Sequence, residues 1–142
     1  FQECLKREDT LLDYASTIDL NIISQKDYRL EEFLRSAAFR EKDRCRFCYH
    51  ARLKAAAKIA KKGKFDAFSS TLLYSKFQNH KLIRQTGEAV AKEEGVRFFY
   101  QDFRDGWKTG IESSKTLGMY RQQYCGCIYS EKDRYYKPDK AK

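Results

Sequence analysis

The sequence predicts an α/β fold with a largely parallel sheet. Three observations carry that expectation. Stretches with apolar residues at spacings of three and four alternate with short apolar runs of strand composition. The helical stretches are long enough to serve as crossovers between parallel strands. Glycine and asparagine punctuate the chain where those stretches should stop and start. At 142 residues the chain suits a single domain.

The elements follow in order. Gln2 to Thr17 reads as a helix, with Phe1, Leu5, Leu11, Leu12, Ala15 and Ile18 near one face. Asn21–Ser24 is a short strand candidate, and Leu30 to Arg35 one or two helical turns. Arg40–Arg44 is a charged loop. A stronger helix runs from Arg44 to Lys61, with Cys45, Cys48, Tyr49, Arg52, Leu53, Ala56, Ile59 and Ala60 on one stripe. Asp43 stands where an N-cap is favourable and Gly63 where the helix should stop. Phe65–Leu73 is the best strand. Ser75 or Asn79 caps a helix from His80 to Glu94, striped by Leu82, Ile83, Thr86, Val90 and Ala91, with Gly95 as its stop. Val96–Tyr100 is the third strand. Gly106 opens a last helix to Leu117, closed by Gly118, and Tyr120–Ser130 is aromatic and glutamine-rich. These elements form one domain over residues 1–134, followed by a polar tail over 135–142. Three strands are few for a free-standing sheet, so further strands are expected upstream.

Composition narrows the functions. With 42% hydrophobic and 15% aromatic residues, an ordinary core needs no disulfides. No apolar run reaches the roughly 18 residues of a membrane span. Phe1-Gln2-Glu3-Cys4-Leu5 is no signal peptide, and the chain opens without Met inside a helix, so an N-terminal piece is expected beyond it. Lysine and arginine number 29 against 20 aspartate and glutamate, a net charge of +9. That excess favours a polyanionic partner, through release of condensed counterions, although a basic soluble surface has the same composition. Lys54, Lys58, Lys61, Lys62 and Lys64 could meet RNA phosphates or line a solvated helix face. Tyr100, Phe103, Trp107, Tyr120 and Tyr124 could stack on an unpaired base or pack in the core. His50 and His80 make no ligand pattern. Neither a His-Glu-x-x-His, a Gly-x-Ser-x-Gly nor a phosphate-cradling glycine loop occurs, which leaves hydrolase readings unsupported.

The cysteines carry the chemistry. Clustered thiols in a basic domain without a secretory signal point to metal or redox use more than to stapling. Cys45 and Cys48 are three apart, so a helix puts both on one face. A helix N-terminus and Arg44, Arg46 and Arg52 favour the thiolate that ligates metal. Two buried core cysteines is the plainer alternative. Cys125 and Cys127 flank Gly126. A disulfide across so short a gap is strained and therefore labile, which suits redox turnover. Equally, Cys45, Cys48, Cys125 and Cys127 could close a four-thiolate zinc site. Cys4, beside Leu5, reads as a core or idle thiol.

These strings resemble one family. Arg44-Cys45-Arg46-Phe47-Cys48-Tyr49 with Arg52-Leu53 is similar to the RCxxCYxxRL segment of QueH-type epoxyqueuosine reductases. Ser69–Leu73 with Ser75 resembles that family's TTTL-x-S strand end. Tyr120–Ile128, with Ser130 and Asp133-Arg134, resembles its YRQxYCGCxxS signature. The resemblance implies a Rossmann-like, HUP-type three-layer domain. It implies two-electron reduction of the epoxide of epoxyqueuosine to queuosine, in a cytoplasmic tRNA with a GUN anticodon. It further implies a 4Fe-4S cluster, with room for an additional metal ion, and an electron donor it does not name. Neither DNA nor a membrane is implied. In the family two cluster cysteines form an adjacent Cys-Cys pair after the first strand, and two come from the Cys-x-x-Cys, here Cys45 and Cys48. Cys125 and Cys127 correspond to the redox-active pair. The Cys-Cys pair does not occur in this sequence, and the expectation is that it lies in an upstream segment. Asp102, Asp105 and Asp133 are candidates to protonate the leaving oxygen. Two other readings stand beside this one: a zinc-bound RNA-binding module without catalysis, and a metal-free thiol oxidoreductase.

Overall fold

Helical periodicity over the middle of the chain becomes two long helices, and most buried side chains lie between them. The computed structural model describes residues 1–138. In order, the helices are α1 (Gln2–Thr17), α2 (Leu30–Ala37), α3 (Arg44–Lys62), α4 (His80–Glu94), α5 (Trp107–Thr116) and α6 (Ile128–Tyr135). The strands are β1 (Ala67–Phe68) and β2 (Arg97–Phe98), with 3₁₀ turns at Thr71–Tyr74 and Arg104–Gly106. The fold is mixed α/β, mostly helical, with a small parallel sheet. Two compact units are present: Arg29–Ile111, and Phe1–Tyr28 with Glu112–Lys142. Among the described residues no helix is long and apolar enough to cross a membrane.

In the unit Arg29–Ile111, β1 and β2 pair in parallel, Ala67 with Arg97 and Phe68 with Phe98, and α4 crosses between them. Tyr49, Leu53, Ala57 and Ala60 of α3 pack with Phe68, Leu73 and with Ile83 and Val90 of α4. Leu53, Leu73, Ile83 and Val90 are fully buried, each stabilising the fold by about 1.5–3 kcal/mol relative to exposure. Asn79 caps α4, its side chain accepting from the Leu82 amide, and Gly95 ends it in the left-handed region at φ 73°. Gly87 lets α4 approach β2: a Cβ there would fall 2.4 Å from the Phe98 ring. Alanine is the better helix former by about 1 kcal/mol, but overpacking costs about 1–3 kcal/mol. Gly87→Ala should therefore lower the urea midpoint; a raised midpoint would refute the close approach.

Several expectations need correction. Asn21–Ser24 forms no strand. Phe65–Leu73 keeps only Ala67 and Phe68 as strand, because the Ser70 side chain accepts from the Leu72 amide and starts a 3₁₀ turn. Val96–Tyr100 keeps only Arg97 and Phe98. Asp43 holds the N-cap position of α3 without a side-chain cap bond. Gly63 ends α3 at φ −82°, and Lys64 takes the left-handed turn instead. On α3, Ala57 is buried while Ile59 and Arg52 are exposed. On α1, Ala15 is buried whereas Leu11, Leu12 and Ile18 are exposed. Helix α6 was not foreseen. It takes in Tyr135, the first residue of the expected tail, and 139–142 lie outside the described residues.

Candidate active site

Each cysteine pair stands within its own unit, and all five cysteines are thiols. Cys45 and Cys48 lie in the first two turns of α3, near the positive end of the helix dipole. Both are half-buried, and Cys45 packs against the core cluster. Cys45 also lines a cavity of about 360 Å³ at the N-terminal ends of α3 and α4. Lys42, Arg46 and Lys81 share that wall with the carboxylate of Asp43, so its net charge is positive, and Asn79 and Gln85 add polar groups. Cys45 and Cys48 thus offer two soft donors in a setting that favours negative charge. A 4Fe-4S cluster takes four thiolates. Among the described residues no group of three or more His, Cys, Asp or Glu stands ready to hold a metal ion. The donor chemistry fits such a cluster and the donor number supplies half of it.

Cys125 and Cys127 are brought together. Their sulfurs lie 3.8 Å apart across Gly126, which has φ +94°, a conformation open to glycine. Cys127 is the N-cap of α6, its sulfur accepting from the Ser130 amide at 3.4 Å. The Cys125 thiol donates to Ser130 Oγ at 3.0 Å, and the Ser130 hydroxyl donates to the Cys127 carbonyl at 2.8 Å. The hydrogen bond to Cys127, and then partial desolvation of the sulfur by its neighbours in an otherwise exposed residue, push the Cys125 thiol well above its ordinary range. At neutral pH Cys125 is accordingly protonated.

The loop carrying these thiols is gripped by α1. Arg7 donates to the Tyr124 carbonyl at 2.7 Å and to the Cys125 carbonyl at 3.2 Å. Glu3 holds Arg7 at 2.8 Å and accepts from the Tyr120 hydroxyl at 2.6 Å. Burial opposes ionisation of Glu3, but the bonds from Tyr120 and Arg7, with the charges of Arg7 and Lys6, outweigh it and hold the carboxyl below the usual range. Sequence reading missed Glu3 and Arg7. Their one visible signal was the i,i+4 pairing of an acid with a downstream base. Ser130 has no sequence signal of its own beyond its place in the motif that follows Cys127.

The other candidates separate. Arg104 binds both carboxylate oxygens of Asp102 and holds it well below the usual carboxylate range, so Asp102 is ionised and unsuited to give a proton. Asp105 lies in the 3₁₀ turn and Asp133 on α6. Trp107 packs on Tyr74 and Phe77, Tyr124 meets Tyr135 edge-on, and Tyr100 lies beneath the Arg84 guanidinium. Phe103 and Tyr120 are the more exposed of the five aromatic candidates. Lys54 pairs with Glu93 at 2.9 Å, while Lys58, Lys61, Lys62 and Lys64 are exposed. Cys4 is exposed, which excludes the core role. Buried His80 sits 3.2 Å from the Ser75 carbonyl through Nε2.

Comparison with known proteins matches residues 1–133 to the family model described as epoxyqueuosine reductase QueH. A protein of that name from Dehalococcoides mccartyi is 35% identical over 139 residues, covering 98% of this chain and 76% of the relative. One from Thermotoga maritima is 34% identical over 139 residues, covering 91% of this chain and 72% of its own length. A third, from Streptococcus pyogenes, is 33% identical over 115 residues.

Proposed function

The chain belongs to the QueH epoxyqueuosine reductase family, and we propose that it reduces the epoxide of epoxyqueuosine in tRNA to queuosine, with Cys125 and Cys127 as its redox pair. Family membership makes it an oxidoreductase. The observation that carries the chemistry is the 3.8 Å approach of two thiols across a left-handed glycine. Deoxygenation of an epoxide to an alkene consumes two electrons and two protons and releases water. Oxidation of a dithiol to a disulfide supplies both electrons and both protons, so the two half-reactions balance. An external electron donor then returns the pair to the dithiol state. Ser130 Oγ accepts a hydrogen bond from the Cys125 thiol and so orients that S–H beside Cys127, while the two protons released by the dithiol go to the departing oxygen.

Cys45 and Cys48 are proposed as two of the ligands of a 4Fe-4S cluster, whose chemistry when bound is one-electron transfer. The cationic wall around Cys45 supports that assignment through its charge alone. The parallel β1–α4–β2 crossover supports the Rossmann-like, HUP-type reading. The net charge of +9 and the exposed Lys58, Lys61 and Lys62 support a tRNA substrate, taken to have a GUN anticodon. The modified base would be extruded into the site, as enzymes that act on a base require. A cytoplasmic location goes with that substrate.

The test is turnover. Full-length protein prepared without oxygen is incubated with tRNA carrying epoxyqueuosine and a chemical reductant, and the digested nucleosides are weighed by mass spectrometry. The expected product has lost one oxygen atom. Recovery of unchanged epoxynucleoside from protein that binds the tRNA would overturn the proposal.

A further inference from the structure

The loop that carries Cys125 and Cys127 is held by a clamp built on the first helix, and the clamp's centre is one arginine. Arg7 donates to two successive carbonyls, those of Tyr124 and Cys125, and so fixes the peptide planes that enter the thiol loop. Its Nε and one terminal nitrogen are occupied by Glu3, at 2.9 and 2.8 Å. The second Glu3 oxygen takes the Tyr120 hydroxyl, which pins the start of the same segment. Arg7 and Glu3 are half-buried, and the Arg7 bonds to Glu3 and to the Tyr124 carbonyl are partly shielded, whereas those to the Cys125 carbonyl and from Tyr120 face solvent. The guanidinium also lies close to the glycine: a Cβ on Gly126 would fall 2.8 Å from Arg7 Nη1. Gly126 is required by its left-handed backbone, and a larger residue there would also push the Arg7 guanidinium off the loop.

We propose that Arg7 is a positioning residue for the redox pair, presenting the Cys125 and Cys127 thiols to each other by fixing the loop backbone. The proposal rests on the reading of those thiols as a redox pair. A guanidinium is suited to the task because its planar fork satisfies a carboxylate and two carbonyls at once, which an ammonium cannot. Preorganised partners close a bond with less loss of freedom, so the clamp raises the effective concentration of one thiol at the other. Glu3 neutralises the arginine, so the contribution is geometric and not an added field on the sulfurs.

The experiment equilibrates the reduced full-length chain with oxidised and reduced glutathione. One disulfide forms between Cys125 and Cys127 as one glutathione disulfide is reduced to two thiols. The readout is the fraction of the Cys125–Cys127 bond, by mass spectrometry of acid-quenched peptides. Arg7→Ala should lower the effective concentration of the pair by about tenfold, the loss of one charge-assisted hydrogen bond. Arg7→Lys, which keeps charge and stem, should recover part of that loss while folding as the parent does. A wild-type equilibrium in Arg7→Ala would overturn the proposal, as would full recovery in Arg7→Lys, which would put the effect in the charge and not in the fork. Failure of the redox-pair reading shows elsewhere: turnover would survive Cys125→Ser, whatever the glutathione equilibrium does.

Discussion

Cys125→Ser is expected to stop formation of queuosine, by more than about 10³-fold, with the fold intact. The replacement is nearly isosteric, and its hydroxyl can keep the contact that the thiol makes with Ser130 Oγ. Its oxygen cannot form the bond to Cys127 that the redox cycle requires. The unfolding free energy from urea titration should change by no more than about 0.5 kcal/mol, the ordinary range for an exposed substitution. Two residues that act as one unit are non-additive, so Cys127→Ser should lose as much and the double variant no more. Cys127 also caps α6, and serine is itself a good N-cap, so the second variant should fold as well as the first. The assay is the mass of nucleosides released from epoxyqueuosine tRNA. Product formed by Cys125→Ser at a rate near that of the parent would remove the thiol pair from the mechanism.

How far the sequence reaches can be judged residue by residue. Helices α3 and α4 were legible because their stripes recur over several turns, and α4 also because its ends carry local signals, Asn79 and Gly95. The strands were legible as a parallel alternation but not in length. Apolar composition over Phe65–Leu73 says nothing about the Ser70 hydroxyl, which competes for the Leu72 amide and turns the chain. Helix α6 was hidden because its first turn follows a sulfur cap, a residue type that the usual N-cap signals do not include. On α1, the stripe was real but Leu11, Leu12 and Ile18 remain exposed, since periodicity marks a face without saying what covers it. At the site, the cysteines were legible from spacing and from resemblance to a family. Arg7 was not: its partners Tyr124 and Cys125 are backbone carbonyls more than a hundred positions away, and a carbonyl has no sequence signature.

Cys45→Ala tests the other half of the chemistry. If Cys45 and Cys48 each give a thiolate to an iron–sulfur cluster, removing one sulfur should remove the brown colour and the bound iron of protein purified without oxygen. Partners that merely orient a ligand already cost about 10–100-fold in metal affinity, and a direct ligand should cost more. Cys45 packs against the core cluster, so a small loss of stability is also expected, on the order of 1 kcal/mol. That loss alone does not remove colour, and Cys48→Ala separates the two effects. Cys48 is half-buried one helical turn further on, and its variant should lose colour to the same degree. Cys4→Ala is the control, because Cys4 is exposed on α1, and its variant should stay brown. A zinc site would behave differently throughout: zinc is colourless and without redox chemistry, so the parent protein would show neither the visible absorption nor iron. Iron content and a visible spectrum that stay at parental levels in Cys45→Ala would take Cys45 out of the ligand set and leave its thiol as a core residue beside a cationic cavity.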